Sequence, residues 1–220
     1  MNKIKSSDTN RYWNSYYNKQ NKQKVSNFAV FVFKKFIEKK MKEKPYLRLL
    51  DIGCGDGRDS FYFSKKKIKT VGIDASKNAI KNNTKKIKKK NQVSFLVKDI
   101  NKHSLRKKFN LIYIRFFLHA INSKSEKKLL QLIDRISKKK TLIFFEYRSK
   151  ADPIFKKGKK LNSSDHFYGH YRRMIDPKDF RNKLIKKLKY KSVFYKVSNK
   201  FAVKGNDHPM ICRNIFEKLK

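Results

Sequence analysis

Glycine is scarce in this 220-residue chain. There are only 7, and three of them fall within five residues, at Gly53, Gly55 and Gly57. Cysteine is scarcer still: Cys54 and Cys212 are the only two, which supports neither a disulfide framework nor a zinc cluster and fits a reducing compartment. Acidic residues are few, 17 against 59 Lys and Arg, giving a formal net charge of +42 and a pI near 10.3. No apolar run approaches the roughly 20 residues of a spanning helix, and the opening MNKIKSSDTNRYWN has no apolar centre for a signal peptide. A cytoplasmic protein without a membrane span is expected. Internal repeats and Gly/Ser-rich or Pro-rich linkers are also missing, so the length suggests one compact domain with a short appendage.

The charge that is present is mostly lysine, in runs such as Lys65–Lys67, Lys88–Lys90 and Lys138–Lys140. Such an excess attracts polyanions over long range. A dedicated nucleic-acid surface would concentrate arginine and aromatic residues on one element. Solvated helix faces are therefore the favoured reading, with a nucleic-acid partner second.

Short apolar runs alternate with longer amphipathic segments, the pattern of βαβ units in a mostly parallel sheet. Strands are expected at Leu47–Ile52, Thr70–Asp74, Val93–Val97, Phe109–Ile114 and Thr141–Tyr147, with two more at Tyr190–Val197 and Pro209–Phe216. Helices are expected from Arg58 to Lys66, after a Ser76 cap, after a Ser123-x-x-Glu126 capping box, and after Asp176 with Pro177 in the first turn. Residues Ser149–Met174 read as a polar, His-rich loop. Two further helices, Arg11–Gln20 and Val25–Lys42, precede the sheet. The expectation is an α/β fold: a seven-stranded, mostly parallel, doubly wound sheet with an antiparallel C-terminal strand and N-terminal helices. Residues 1–44 would form a helical lid or appendage and 45–220 the main domain.

Glycines between a strand and a helix let backbone approach a nucleotide-like ligand that side chains would keep away. The dinucleotide fingerprint G-x-G-x-x-G fails, since its third glycine would fall on Arg58, and no G-K-[ST] follows as a phosphate-binding loop requires. The pattern is instead Asp51-Ile52-Gly53-Cys54-Gly55-Asp56-Gly57. It resembles the first motif of class I S-adenosylmethionine (SAM)-dependent methyltransferases. VGIDAS, VKDI and FNLIYIRFFLHAI resemble the family's following motifs at the right spacing.

The resemblance implies SAM as cofactor, S-adenosylhomocysteine as product, and no metal. It implies that Asp74, beside Ala75, takes the ribose hydroxyls, and that Asp99, beside Ile100, contacts the adenine amine. The Gly53, Cys54, Gly55 and Gly57 backbone would face the methionine portion. Asp51 would orient the ammonium directly or through water, and Arg58 would either meet the carboxylate or serve the helix structurally. Trp13 and Tyr17, at i and i+4, would close over the cofactor as a lid or merely dock their helix.

The acceptor is expected beyond the fourth and fifth strands, at the carboxyl end of the sheet. Arg115, placed on both the cofactor and acceptor sides, and His119 follow the fourth strand. His170, Arg172 and Arg173 lie in the loop SSDHFYGHYRRMID, with His119 or His170 as the base if one is needed. Guanidinium groups suit an anionic or hydroxyl-rich small molecule. GHYRRMID and FAVKGNDHPMICR also resemble a bacterial subgroup that modifies surface-glycan precursors. O-methylation of such a small acceptor leads. An RNA methyltransferase and a SAM-binding non-enzymatic protein are the alternatives.

Overall fold

A computed structural model describes residues 6–18 and 23–220. The expected end of the first helix at Gln20 lies outside them.

The chain forms two compact units, Met1–His103 and Ser104–Lys220. In the first, α1 (Ser6–Tyr16) precedes α2 (Asn27–Val32), which passes through one π turn (Phe33–Ile37) into α3 (Glu38–Glu43). Ser26 caps α2 by accepting from Ala29 N, and its own backbone and hydroxyl both donate to the buried Asp59 carboxylate, at 2.9 and 2.7 Å. Asp59 lies in α4 (Arg58–Lys65), which follows β1 (Arg48–Ile52). This tie fixes the N-terminal helix pair to the unit that holds β1, β2 (Lys69–Asp74), α5 (Lys77–Thr84) and β3 (Val93–Val97). Parallel pairing sets Asp51 opposite Gly72 and Asp74 opposite Val97. As expected, Ser76 caps α5, accepting from Ala79 N.

The second unit begins with β4 (Phe109–Arg115), a largely apolar strand buried along six of its seven residues, Asn110 among them, as suits a central parallel strand. A single 3-10 turn (Leu118–Ala120) leads to α6 (Ser123–Ile136) and β5 (Ser137–Arg148). The expected capping box is not formed. Asn122 caps α6 instead, its side chain accepting from Ser125 N at 2.8 Å, and Glu126 turns away to Arg173 and Lys183. A guanidinium and an ammonium outbid one backbone N–H for that carboxylate.

The expected loop 149–174 is a small antiparallel sheet: β6 (Lys159–Lys160), β7 (Asp165–Tyr168) and β8 (His170–Arg173). Gly169, at φ +69, makes the tight turn between β7 and β8. The signal was there as D-H-F-Y-G-H-Y-R-R, two short polar-aromatic runs about one glycine, but such strands carry no apolar alternation. α7 (Pro177–Leu188), capped by Asp176, leads to β9 (Tyr190–Ser198) and β10 (Ile211–Lys218). The large sheet has the order β3-β2-β1-β4-β5-β10-β9, and β10 is antiparallel to both its neighbours. Among the described residues, no helix is long and apolar enough to cross a membrane.

Candidate functional site

The residues of the first unit expected to meet the cofactor lie together where β1, β2 and β3 end. Gly53, Gly55 and Gly57 all have left-handed backbone, at φ +73, +52 and +74, so a side chain would be strained at each. Their loop is folded back on β2: Gly53 N and Cys54 N both donate to Ile73 O, and Gly55 N donates to Asp74 Oδ2 at 3.0 Å. Asp74 Oδ1 accepts from Ser76 N at 2.8 Å. Burial raises the Asp74 carboxyl above its ordinary value, opposed by the bonds from the Ser76, Gly55 and Ala75 backbone. Cys54 contributes backbone only, because its thiol is buried in a cluster with Ile80, Val93 and Phe95.

Asp51, at the end of β1, is buried and accepts from Ser60 Oγ at 2.5 Å. Burial pushes its carboxyl up to about 8, against the pull of Ser60 and aided by Asp59, Asp74 and Asp56. A carboxyl so placed gains most from an arriving cation. Asp99, after β3, is half-buried, and Asn101 N and Nδ2 hold its Oδ1 at 2.8 and 3.0 Å. Ile100 is half-buried beside it. Arg58 opens α4 beside this loop. Its guanidinium donates to Gln23 Oε1 and lies 3.4 Å from Lys24 O.

Two residues escaped the sequence reading, Asn10 and Asn14, which act together with Tyr17. Asn10, Asn14 and Tyr17 recur at i, i+4 and i+7, and they fasten the N-terminal helical segment to the ends of β2 and β3 and to α5. Asn10 Nδ2 reaches Asp99 Oδ2, and Asn14 Oδ1 accepts from Ser76 Oγ and Asn78 N at 3.1 and 3.0 Å. Asn78 and Asn82 in turn donate to the Asn14 and Tyr17 carbonyls. The Tyr17 phenol lies directly over Gly55, where a Cβ would collide with its oxygen. Burial first, then Asp74, Asp56 and Cys54, keep that phenol protonated. Trp13 stacks on Tyr17, with centroids 6.2 Å apart.

These residues fit SAM. An acid closes β2 for a diol, a second follows β3 for an amine, a third is buried and short of a cation, and glycine backbone lies between them.

The second unit gathers a different set. Arg115 Nε donates to Glu146 Oε1 at 2.9 Å, and Arg213 Nε takes the other oxygen at 2.7 Å, so the buried Glu146 of β5 holds two guanidiniums. Arg115 also lies over the Phe116 ring. Arg148, at the end of β5, donates to both Asp152 oxygens and, through Nη2, to Asp207 at 2.8 Å. His119 is buried in the 3-10 turn, and its Nδ1 accepts from Arg148 N at 3.4 Å, which leaves the ring hydrogen on Nε2. Burial, then Arg148, Arg172, His170 and Arg115, hold His119 well below the usual histidine range.

On β8, His170 Nε2 accepts from Arg172 Nη1 at 2.5 Å. Burial, Arg172 and Arg148 lower His170 to about 3. Strand alternation separates Arg173 from this pair. Its Nε donates to Ile121 O and its Nη2 to Glu126, so the structure places it in a buried tie to α6 rather than beside Arg172. His119, His170, Arg172, Arg148 and Arg115 are thus brought into mutual electrostatic range, and Arg173 is not. Among the described residues, no three His, Cys, Asp or Glu are grouped to hold a metal ion.

Comparison with known proteins agrees with this arrangement. Residues 43–200 match the family model of a methyltransferase domain. Malonyl-[acyl-carrier protein] O-methyltransferase 2 of Ilyobacter polytropus is 31% identical over 147 residues, 64% of this chain and 54% of that protein, so the chain matches about half of its relative's length. The fold is shared with the N-methyltransferase NodS of Bradyrhizobium japonicum WM9 in complex with S-adenosylhomocysteine (TM-score 0.69, 13% identity, 96% of this chain and 99% of that one). It is also shared with the magnesium protoporphyrin IX methyltransferase of Synechocystis PCC 6803 with bound SAM (TM-score 0.65, 13% identity, 99% and 98%). The glycine loop, its three acids and this match agree: the chain belongs to the methyltransferase-domain family and carries its SAM-dependent domain.

Proposed function

We propose that the protein O-methylates a small acceptor that arrives as an anion, a carboxylate or a phosphorylated or glycan-precursor metabolite. The observation that carries this is the electrostatics of the His119–His170 cluster. Both histidines are held neutral, and every charged neighbour that shifts them is a cation or the other histidine. Burial is the larger cause of both shifts, but Arg148, Arg172 and Arg115 gathered about the two rings give the site a cationic lining, which favours an anion and disfavours a cationic amine.

The same geometry argues against a histidine base. His119 presents Nε2–H as a donor, and His170 Nε2 is already bonded to Arg172. A carboxylate or phosphate oxygen, ionised on arrival, needs no base, only alignment, whereas a glycan hydroxyl would have to give its proton to a base this cluster does not offer, so the geometry favours the carboxylate or phosphate oxygen as the methylated atom. When bound, the cofactor supplies an electrophilic methyl group on sulfur, which passes to the acceptor oxygen while S-adenosylhomocysteine leaves. The chain's own part is to hold the anion with Arg172 and Arg148, orient it with His119 Nε2–H, and keep water out.

The Ilyobacter relative, named for O-methylation of a malonyl group, supports the anionic-oxygen reading. The glycan-precursor form draws on the two segments GHYRRMID and FAVKGNDHPMICR, which supply His170 and Arg172 from one and the Arg148 partner Asp207 from the other. The test is a transfer assay with methyl-labelled SAM against fractionated metabolite extract and total RNA in parallel. Label in an anionic small-molecule fraction, lost in Arg172→Ala, supports the reading. Label confined to RNA refutes it.

A further inference from the structure

Lysine is plentiful throughout the chain, but in the second unit it is not evenly spread. β4, β5 and β9 begin, and β10 ends, at one edge of the sheet, as the register fixes: Phe109 pairs with Ser137, Leu142 with Glu217, and Lys218 with Tyr190. α6 and α7 run out at the same edge, into Ser137 and Tyr190. Residues 104–109, 134–141, 186–191 and 217–220 are the segments that meet there, and 13 of these 24 residues are Lys or Arg, with Asp134 and Glu217 the only acids. At the opposite edge, in residues 115–122, 148–176 and 198–210, the figure is 11 of 50. A lysine-rich composition alone does not give that difference.

Helix chemistry accounts for only part of the cluster. Lys108 Nζ donates to Arg135 O and Ser137 O, and Lys218 Nζ to Asp134 O and Oδ1, which satisfies carbonyls at the end of α6 and occupies one of the two acids. Beyond these, Arg106, Lys107, Arg135, Lys138, Lys139, Lys186, Lys187 and Lys191 are all exposed. The presentation is deliberate in form as well. Between two paired positions β4 advances from Phe109 to Leu111 while β5 advances from Ser137 to Leu142, so Lys138–Lys140 are thrown out of the ladder as a bulge. Thr141 Oγ1 pins its base, donating to Phe109 O at 2.8 Å and accepting from Lys138 N at 3.0 Å. Lys140 and Lys189 occupy left-handed backbone at φ +65 and +53, a conformation in which glycine is the usual residue. Ser104, Leu105, Arg106, Lys108 and Arg135 line a cavity of about 330 Å³ on the same edge.

We propose that this edge is a docking surface for the phosphate backbone of a nucleic acid, held without reading sequence. Lysines projecting from four separate backbone segments match a string of phosphates. An anionic membrane would also want apolar anchors, and among the described residues of the edge Leu219 is the one exposed large apolar side chain. The surface is distinct from the acceptor cluster, so it would tether the enzyme rather than present a methyl acceptor.

The test is fluorescence anisotropy of the full chain with a labelled 20-nucleotide RNA of mixed sequence across a salt series. Wild type should bind with a steep salt dependence. Lys138→Ser/Lys139→Ser/Lys140→Gly should weaken binding at least about tenfold and flatten the log–log salt slope by about 2, from about 0.7 per phosphate contact. Lys156→Ser/Lys157→Ser/Lys160→Ser, which removes the same charge from the opposite edge, should cost no more than about twofold. Equal losses in both triples would show a net-charge effect and overturn the proposal, as would a larger loss in the second. Absence of binding by wild type at low salt would overturn it too, and so would tighter capture by vesicles of anionic phospholipid than by RNA. Circular dichroism and SAM affinity unchanged in both triples confirm that folded protein is compared.

Discussion

Asp51 is a buried carboxyl that accepts from Ser60 Oγ, and its titration, pushed up to about 8 by burial, gives it a measurable signature. Below that pH the free protein holds a proton there. If the cofactor ammonium settles against it, the ionised form is favoured and the proton is released. SAM affinity should therefore rise as pH increases toward 8 and level off above it. Calorimetry at pH 7 in two buffers of different ionisation enthalpy should show proton release in wild type and none in Asp51→Asn. Asp74 is argued the same way from its partners. Asp74→Ala removes the acceptor that closes β2 and leaves Gly55 N and Ser76 N without their bonds. SAM affinity should fall at least about tenfold, and wild-type affinity in a folded variant would refute the ribose assignment. For the histidines the sign runs the other way. A neutral ring is lost only below its pKa, and both rings are depressed, so kcat/KM should show no acid limb in the ordinary histidine range. A limb near 6.5 that disappears in His119→Gln would restore a histidine base.

At the scale of elements, the N-terminal helix is held by side chains rather than by a broad apolar face. Asn10, Asn14 and the Tyr17 carbonyl make its bonds to the ends of β2 and β3 and to α5, and the Tyr17 ring covers Gly55. Such a polar attachment can open and reclose without unfolding anything. Trp13 is the only tryptophan and stacks on Tyr17, so its emission should change when SAM binds. Unchanged emission and unchanged quencher access, with binding confirmed by calorimetry, would mean the helix is a fixed dock. β8 is fastened differently. Glu126 is buried, and although burial opposes its ionisation, Arg173 and Lys183 hold its carboxyl below the ordinary value. Glu126→Ala strands a buried arginine and should destabilise the protein by about 3 kcal/mol, read from chemical denaturation. A loss below about 1 kcal/mol would show that Arg173 finds water instead.

At the scale of the whole molecule, most of the sheet and its order of elements were legible, because parallel strands such as Phe109–Ile114 show as dense apolar runs and the helix starts at Ser76 and Asp176 as caps. The glycine loop and its acids were legible for a similar reason: a backbone conformation open mainly to glycine leaves its mark at fixed spacing. What stayed hidden depends on long-range partners. Nothing local distinguishes Arg172 from Arg173, and only the strand formed by β8 sends one toward His170 and the other to Glu126. The capping box failed because Glu126 had distant partners, and the asparagine stripe of α1 reads as plain polarity until α5 is set against it.

We propose that the acids of the first unit hold SAM and that the arginine and histidine cluster of the second holds an anionic oxygen acceptor. The most direct measurement is steady-state methyl transfer to the anionic acceptor found in the labelled-SAM screen, alongside SAM affinity, in wild type, Arg172→Ala and His119→Ala. Both variants should bind SAM within a few-fold of wild type and lose about a hundredfold in kcat/KM. Normal turnover by both would contradict the account, and the acceptor site would have to lie elsewhere on the molecule.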